Sequence, residues 1–227
     1  MMMAETSLPE AMAGRETHEK VEELVSEFEP SPAAFVDLGA GQGAFAHRRH
    51  RLGHVVVAAD GDPGNWRLNE IPVLKVNFDE PFSSKFDGRR FDAAVAIEII
   101  EHVENPFAFL RETARILKPG GLLFLTTPNV ESVASRLIFL YTGRLSNFGA
   151  YETVRTAHIT PMFRWKLEMA LDEAGFERVA DGFNRTGYRT GENVKSKISG
   201  IVGRIIEPML KGVTGGESRI LAARLKS

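Results

Sequence analysis

The chain has no cysteine among its 227 residues. Disulfides and cysteine-ligated zinc are thereby excluded within it, which fits a reducing, cytoplasmic setting. No apolar run approaches the roughly 18 to 20 residues a spanning helix needs. The opening Met1-Met2-Met3-Ala4-Glu5 brings in an acid before any apolar stretch, so no signal peptide is expected. Neither charge is in excess: 28 basic against 30 acidic residues leave a net charge of −2, and nothing global pulls the chain toward nucleic acid. Internal repeats and low-complexity segments are absent as well. What is present is an ordinary hydrophobic share of 43% in a chain long enough to bury a core without staples. The length suits one α/β domain with additions. Residues 1–16 are expected to be a flexible tail, and residues 17–227 a single domain.

Val21, Leu24, Val25 and Phe28 recur at helical spacing, and Glu29-Pro30-Ser31-Pro32 stops that helix. Short apolar runs at 33–38, 55–59, 73–76, 91–97 and 122–126 read as buried strands. Helical stretches separate them at 44–52, 63–69 and from Pro106 to Leu117, with proline well placed in the first turn. Lys118-Pro119-Gly120-Gly121 reads as a turn. A helix over 161–174 stops at Gly175, and 176–181 and 218–225 are the last strand candidates. Alternating strands and helices with nearly continuous apolar strands predict a mainly parallel sheet, covered on both faces.

Gly39-Ala40-Gly41-Gln42-Gly43 falls between a predicted strand and a predicted helix. Glycine lets the backbone turn tightly and lets a ligand approach it. The helix start beyond it offers unpaired N–H groups. Asp60, 21 positions after Gly39, ends the next strand, where a carboxylate can accept from two ribose hydroxyls. Gly39-x-Gly41-x-x-Ala44 also satisfies a dinucleotide fingerprint, which keeps an NAD-dependent oxidoreductase as an alternative. Asp37 argues against it: a carboxylate two residues before the first glycine repels a pyrophosphate and suits an ammonium.

Four further blocks follow in order: Phe91-Asp92-Ala93-Ala94-Val95, Glu98-Ile99-Ile100-Glu101-His102-Val103-Glu104-Asn105-Pro106, Leu117-Lys118-Pro119-Gly120-Gly121-Leu122-Leu123-Phe124 and Thr126-Thr127-Pro128-Asn129. Together with the glycine loop they resemble class I S-adenosylmethionine-dependent methyltransferases. The branch is the one that includes ubiquinone-biosynthesis O-methyltransferases and many bacterial glycan and secondary-metabolite methyltransferases. The resemblance runs over residues 33–182. It implies a Rossmann-like α/β fold with a seven-stranded sheet, mostly parallel, one antiparallel strand coming from a C-terminal hairpin. Ser218–Leu225 fits that strand. It also implies that Asp37, Gly39, Gly41 and Gly43 line the methionine end of S-adenosylmethionine, that Asp60 holds the ribose, and that Asn77-Phe78 meet the adenine. Glu98 is counted with these cofactor contacts. Many relatives carry Asp where this chain has Asn77, and an amide accepts the same hydrogen bond without charge.

His102 follows the fourth strand on the side where ligands bind, so it is the first candidate for a general base. His158, in Thr156-Ala157-His158-Ile159-Thr160-Pro161, is the second. The alternative for each is a histidine that only caps or packs a loop. Glu98, Glu101, His102 and His158 together resemble the metal set of small-RNA 2′-O-methyltransferases, in which two Glu and two His hold a magnesium-class ion. No basic stripe accompanies them, so the expected acceptor is a small molecule, glycan or lipid-linked compound and not a nucleic acid. The expected activity is O-methylation; a non-catalytic methyltransferase-like binding protein is the other alternative. His47, His50 and His54 cluster with Arg48, Arg49 and Arg51 and read as a solvated face.

Residues 129–155 form a lid-like insertion with Arg136, Arg144 and Arg155 among apolar residues, the expected source of acceptor specificity. Residues 184–217 form a second, amphipathic insertion. Its apolar Ile198, Ile201, Val202, Ile205, Ile206, Met209 and Leu210 fit one helical face, flanked by Lys195, Lys197, Arg204 and Lys211. Such a face permits peripheral membrane contact through 193–211 or capture of a lipid-linked substrate. Packing on the lid or on a second subunit is the alternative. Gly200, Gly203 and Pro208 make the helix poor alone, so it needs a partner.

Overall fold

The computed structural model describes residues 9–14, 16–29, 31, 33–151, 157–184, 194–212 and 214–227, with the backbone alone for 194–199. Among these residues seven strands form one sheet: β1 (Ala34–Leu38), β2 (Val55–Asp60), β3 (Val73–Lys75), β4 (Phe91–Ala96), β5 (Leu117–Pro128), β6 (Phe176–Phe183) and β7 (Ser218–Leu225). Their spatial order is β3-β2-β1-β4-β5-β7-β6. The first five pair in parallel, and β7 runs antiparallel to both β5 and β6. The expected Rossmann-like sheet with one reversed strand is what the chain forms. Among the described residues six helices accompany it: α1 (Thr17–Phe28), α2 (Ala44–Arg51), α3 (Pro106–Ile116), α4 (Val133–Thr142), α5 (Arg164–Glu173) and α6 (Val194–Ile206).

Strand alternation sends side chains to two faces. Phe35, Val95, Leu122 and Phe124 meet Val21, Val25 and Phe45 of α1 and α2 on one face. Val36, Leu38, Leu123 and Leu125 meet Phe109, Leu110, Leu167 and Leu171 of α3 and α5 on the other. Each fully buried Leu or Phe stabilises the fold by roughly 1.5–3 kcal/mol. α3 shows how locally this is written. Asn105 caps it by accepting from the Ala108 N–H at 3.1 Å, Pro106 opens it, and Phe109, Leu110, Thr113 and Ile116 put one stripe into the core.

Several local expectations change. Lys118–Gly121 is no free turn but a bulge within β5: pairing jumps from Phe91↔Leu117 to Ala93↔Leu122, with Gly120 at φ 75°. The helix expected over 63–69 shrinks to a 3-10 turn, Pro63–Asn65, set by Asp62 accepting from the Gly64 N–H at 3.2 Å. α4 lies within the lid-like insertion, capped by Ser132 and ended by Gly143 at φ 71°. The solvated basic face is only partly so. Arg49, 2% exposed, pairs with Glu22 of α1 and lies over the Phe45 ring, and the buried His54 accepts from the Ala33 N–H at 3.2 Å. The α1–α2 packing supplies a partner that helix periodicity alone does not reveal. Among the described residues no helix is long and apolar enough to cross a membrane.

Chain order reverses between β1 and β4, which leave the sheet centre in opposite directions along it. The loops after these strands therefore diverge and leave a crevice at their C-terminal ends.

Candidate active site

A chamber of about 1100 Å³ fills that crevice, and Asp37, Gly39, Gly41, Asp60, Asn77, Phe78, Glu98, His102 and His158 all line it. One topological feature thus brings together nine residues spread over 122 positions, from 37 to 158. Gly43 is a different case. It is buried, and a Cβ there would stand 2.8 Å from Leu68 Cδ1 and 2.9 Å from the Trp66 ring. Its φ of 98° and that close packing explain the glycine; it is absent from the chamber wall. Gly39, at φ 76°, has Ile99 2.9 Å from where a Cβ would be, whereas Gly41 at φ 55° has only Met12 Sδ near, at 3.4 Å. Gly41 is the glycine that leaves backbone open to a ligand.

Asp37, at the end of β1, is 2% exposed, and its Oδ2 has no hydrogen-bond partner. Burial pushes its carboxyl up from the ordinary range to about 7, against the help of the Ala46 N–H. A cationic group beside it would supply what the site withholds. Asp60 holds the loop: Oδ2 accepts from the Gly41 N–H and Oδ1 from the Asp62 N–H, both at 2.8 Å. Each oxygen keeps a lone pair for a further donor. Asn77 is committed to its own turn, accepting from the Asp79 N–H at 3.2 Å and donating to Glu80 at 2.9 Å. The Phe78 ring belongs to the core, edge-on to Phe82 and Phe109, so its backbone and not its ring is the part able to meet a base.

The opposite wall carries the ionisable cluster. Glu98 turns out of β4 at φ 49°, and this left-handed backbone is held at both ends by Thr126. The hydroxyl accepts from the Glu98 N–H at 3.0 Å and donates to Oε1 at 2.9 Å. Burial raises the Glu98 carboxyl to about 7. Glu101 is fully buried behind the wall. Its Oε2 accepts from the Thr127 hydroxyl at 3.1 Å, while Oε1 has no partner. Burial, then the Glu98 charge, push it well above the usual carboxylate range. The Glu101 carbonyl accepts from the N–H groups of Ile159 and Thr160, both at 3.0 Å, and so draws the His158 segment in.

His102 and His158 stand with ring centroids 4.6 Å apart and planes at 83°. Nδ1 of His102 lies 3.0 Å from the Ala157 carbonyl, and Nδ1 of His158 lies 2.7 Å from that of Asn147. A carbonyl only accepts, so Nδ1 carries the proton in each, and Nε2 of a neutral ring is left with its lone pair. Burial, then the His158 charge, hold His102 below its ordinary value, against the Ala157 carbonyl, which raises it. One ligand atom each from Glu101, His102 and His158 lie within 4.8 Å of one another.

Pattern reading misses part of the wall. Glu10, Met12, Ala13 and Gly14, within the expected tail, line the chamber, and the Glu10 N–H donates to Gln42 Oε1 at 3.2 Å. His18 lines it from α1, 8% exposed and lowered to about 4 by burial. Ser218 lines it from the start of β7, where Asn184 joins the Ser218 N–H to the Thr17 hydroxyl. Nothing in spacing singles out these three elements, since they meet only through the sheet. Thr126 and Thr127 were visible as part of a block, though without a role. Of the lid-like insertion, Asn147 reaches the chamber; residues 152–156 lie outside the described ones.

Comparison with known proteins bears on this arrangement. Residues 12–181 match a family described as a methyltransferase domain. The ubiquinone biosynthesis O-methyltransferase of Parvibaculum lavamentivorans is 33% identical over 101 residues, 42% of this chain and 40% of that protein. Its namesake from Xanthomonas axonopodis pv. citri is 33% identical over 142 residues, 58% of this chain and 59% of that protein. The chain thus spans about half the length of these curated relatives. A SAM-dependent methyltransferase from Archaeoglobus fulgidus shares the fold with a TM-score of 0.63 at 18% identity, covering 92% of this chain and 94% of that one.

Proposed function

The chain belongs to the methyltransferase-domain family, and we propose that it transfers the methyl group of S-adenosylmethionine to a hydroxyl of a small-molecule, glycan or lipid-linked acceptor. The observation that carries this reading is the chamber itself. Open glycine backbone at Gly41, the two carboxylates Asp37 and Asp60, and His102, whose Nδ1 proton goes to the Ala157 carbonyl, share that one chamber. The residues fit the cofactor. The unpartnered Asp37 oxygen suits an ammonium, and the spare lone pairs of Asp60 suit a ribose diol.

When bound, S-adenosylmethionine supplies an activated methyl on a sulfonium, an electrophile that needs positioning more than activation. The chamber walls do that work, and holding two reactants in line is worth roughly 7–11 kcal/mol. His102 takes the proton of the acceptor hydroxyl at Nε2, a step worth about 10² to 10⁴ in rate. Ala157 fixes the ring through Nδ1. The names of the two curated relatives support a quinone-like, lipid-linked acceptor within this class. Calorimetric titration with S-adenosylmethionine and with NAD separates this reading from an oxidoreductase: heat with NAD alone overturns it. A one-methyl mass shift across candidate acceptors then identifies the substrate and excludes a non-catalytic binding protein.

One observation favours a second reading that adds a magnesium-class ion. Glu101, His102 and His158 converge, and Glu101 Oε1 is buried with no partner. Glu98 fits less well, its Oε1 being taken by Thr126. Nδ1–carbonyl bonds on both histidines are the usual second contact of Nε2 metal ligands. An ion there would orient the acceptor oxygen by charge. Magnesium and manganese heats that vanish in Glu101→Gln would support it, and turnover indifferent to chelator would remove it.

A further inference from the structure

α6 packs against α4 with the wrong side for a helix that hides its apolar residues. Its buried positions among those described are Gly200 and Gly203, three apart. Two of its large apolar residues face out, Ile201 at 58% exposed and Ile205 at 67%, while Ile206 is half-buried. The last turn of α4 does the same, with Leu140 80% and Tyr141 89% exposed, and Met209 follows α6 at 81%. Scattered exposed apolar residues are ordinary, but a contiguous face on two adjoining helices is not. α6 does pack on the lid-like insertion, through α4, but that contact leaves Ile201 and Ile205 exposed.

Charge says what the face meets. Over 132–151 and 200–212 the chain carries Arg136, Arg144, Arg204 and Lys211 against Glu207 alone, within a protein whose net charge is −2. Apolar side chains among cations are what an anionic headgroup layer over acyl chains recognises. A second copy would set one basic face against another and repel. α6 also lies beyond residues 12–181, the part shared with the family, so the catalytic framework does not require it.

We propose that the α4–α6 face docks on an anionic phospholipid surface and presents the chamber to acceptors held in the bilayer. The docking half stands on the face alone; the delivery half rests on the function proposed above. One segment links them. The loop after α4 contains Asn147, whose carbonyl holds His158, so the helix that meets the lipid and the wall that meets the acceptor are a few residues apart.

Flotation of the full chain with phosphatidylcholine vesicles, with and without phosphatidylglycerol, tests this, with S-adenosylmethionine calorimetry on the same preparation. The expected result is recovery with phosphatidylglycerol vesicles only, weakened by salt. Arg204→Gln should lower partitioning about fivefold. Leu140→Ser with Ile205→Ser should abolish flotation while the cofactor heat persists, since both side chains are exposed. Wild-type protein that binds cofactor but stays free of phosphatidylglycerol vesicles overturns the proposal. So does a dimer that these serines disperse, without vesicle binding. Flotation without any cofactor heat would uphold the docking face and overturn the methyltransferase reading.

Discussion

Asp37 and His102 are the residues whose chemistry depends most on being buried. The Asp37 carboxyl rises from 3.8 to about 7 on folding, so its ionisation costs the fold. That cost is absent below the ordinary carboxylate range, grows as pH rises, and is complete above about 7. Ligand-free Asp37→Asn should therefore be more stable than wild type in urea at pH 8 and no more stable at pH 4. An equal difference at both would show that the carboxyl is not the cause. An ammonium brought beside Asp37 favours the ionised form, so cofactor binding below pH 7 should release a proton. Calorimetry in two buffers of different ionisation heat reads that proton, and Asp37→Asn should lose it. His102→Ala should lower turnover by about 10² to 10⁴ with cofactor affinity unchanged; unchanged turnover would reduce His102 to a packing role. Asp37 was legible as a residue of the chamber from its place before the glycines, whereas His18 was not, because only the approach of α1 to the sheet brings it there.

Among elements, those whose pattern is local came out close to where the pattern put them. α1 runs from Thr17 to Phe28 and β7 from Ser218 to Leu225, as read from apolar spacing. Gly43, between β1 and α2, separates two reasons for a glycine. Gly43→Ala should cost both a left-handed backbone and a clash with Leu68 and Trp66, whereas Gly53→Ala, at φ 87° with nothing within 4 Å, should cost the backbone alone. The left-handed conformation costs roughly 1–2 kcal/mol and overpacking about 1–3 more, so urea midpoints should differ clearly between the two variants. Equal midpoints would mean that Trp66 and Leu68 move aside freely. The Lys118–Gly121 segment looked like a turn because its residues are turn residues; pairing with β4 before it, at Leu117, and after it, from Leu122, carries the strand through it. α6 was legible as an amphipathic helix, but which side it buries was not, since its glycines and its isoleucines are equally consistent with a contact until α4 is in place.

For the molecule as a whole, the cofactor should act as a staple across the crevice. At a concentration 100 times its dissociation constant it should add about 2.7 kcal/mol to stability. For a chain of this size that raises the melting temperature by about 5–10 °C, at about 2–4 °C per kcal/mol. Scanning calorimetry should show this with S-adenosylmethionine and no shift with NAD. The succession of strands along the chain, the glycine loop and the family blocks were legible in the sequence alone, because each rests on contacts between near neighbours or on a pattern of fixed spacing. Tertiary structure alone decided the rest. It turned Gly43 away from the chamber, put Phe78 in the core, buried Glu101 beside two histidines 1 and 57 positions later, and left the α4–α6 face outward. The physical reason is the same in each case: burial, and with it charge state and hydrogen-bond partner, is fixed by residues far away in the chain, and no local pattern contains them.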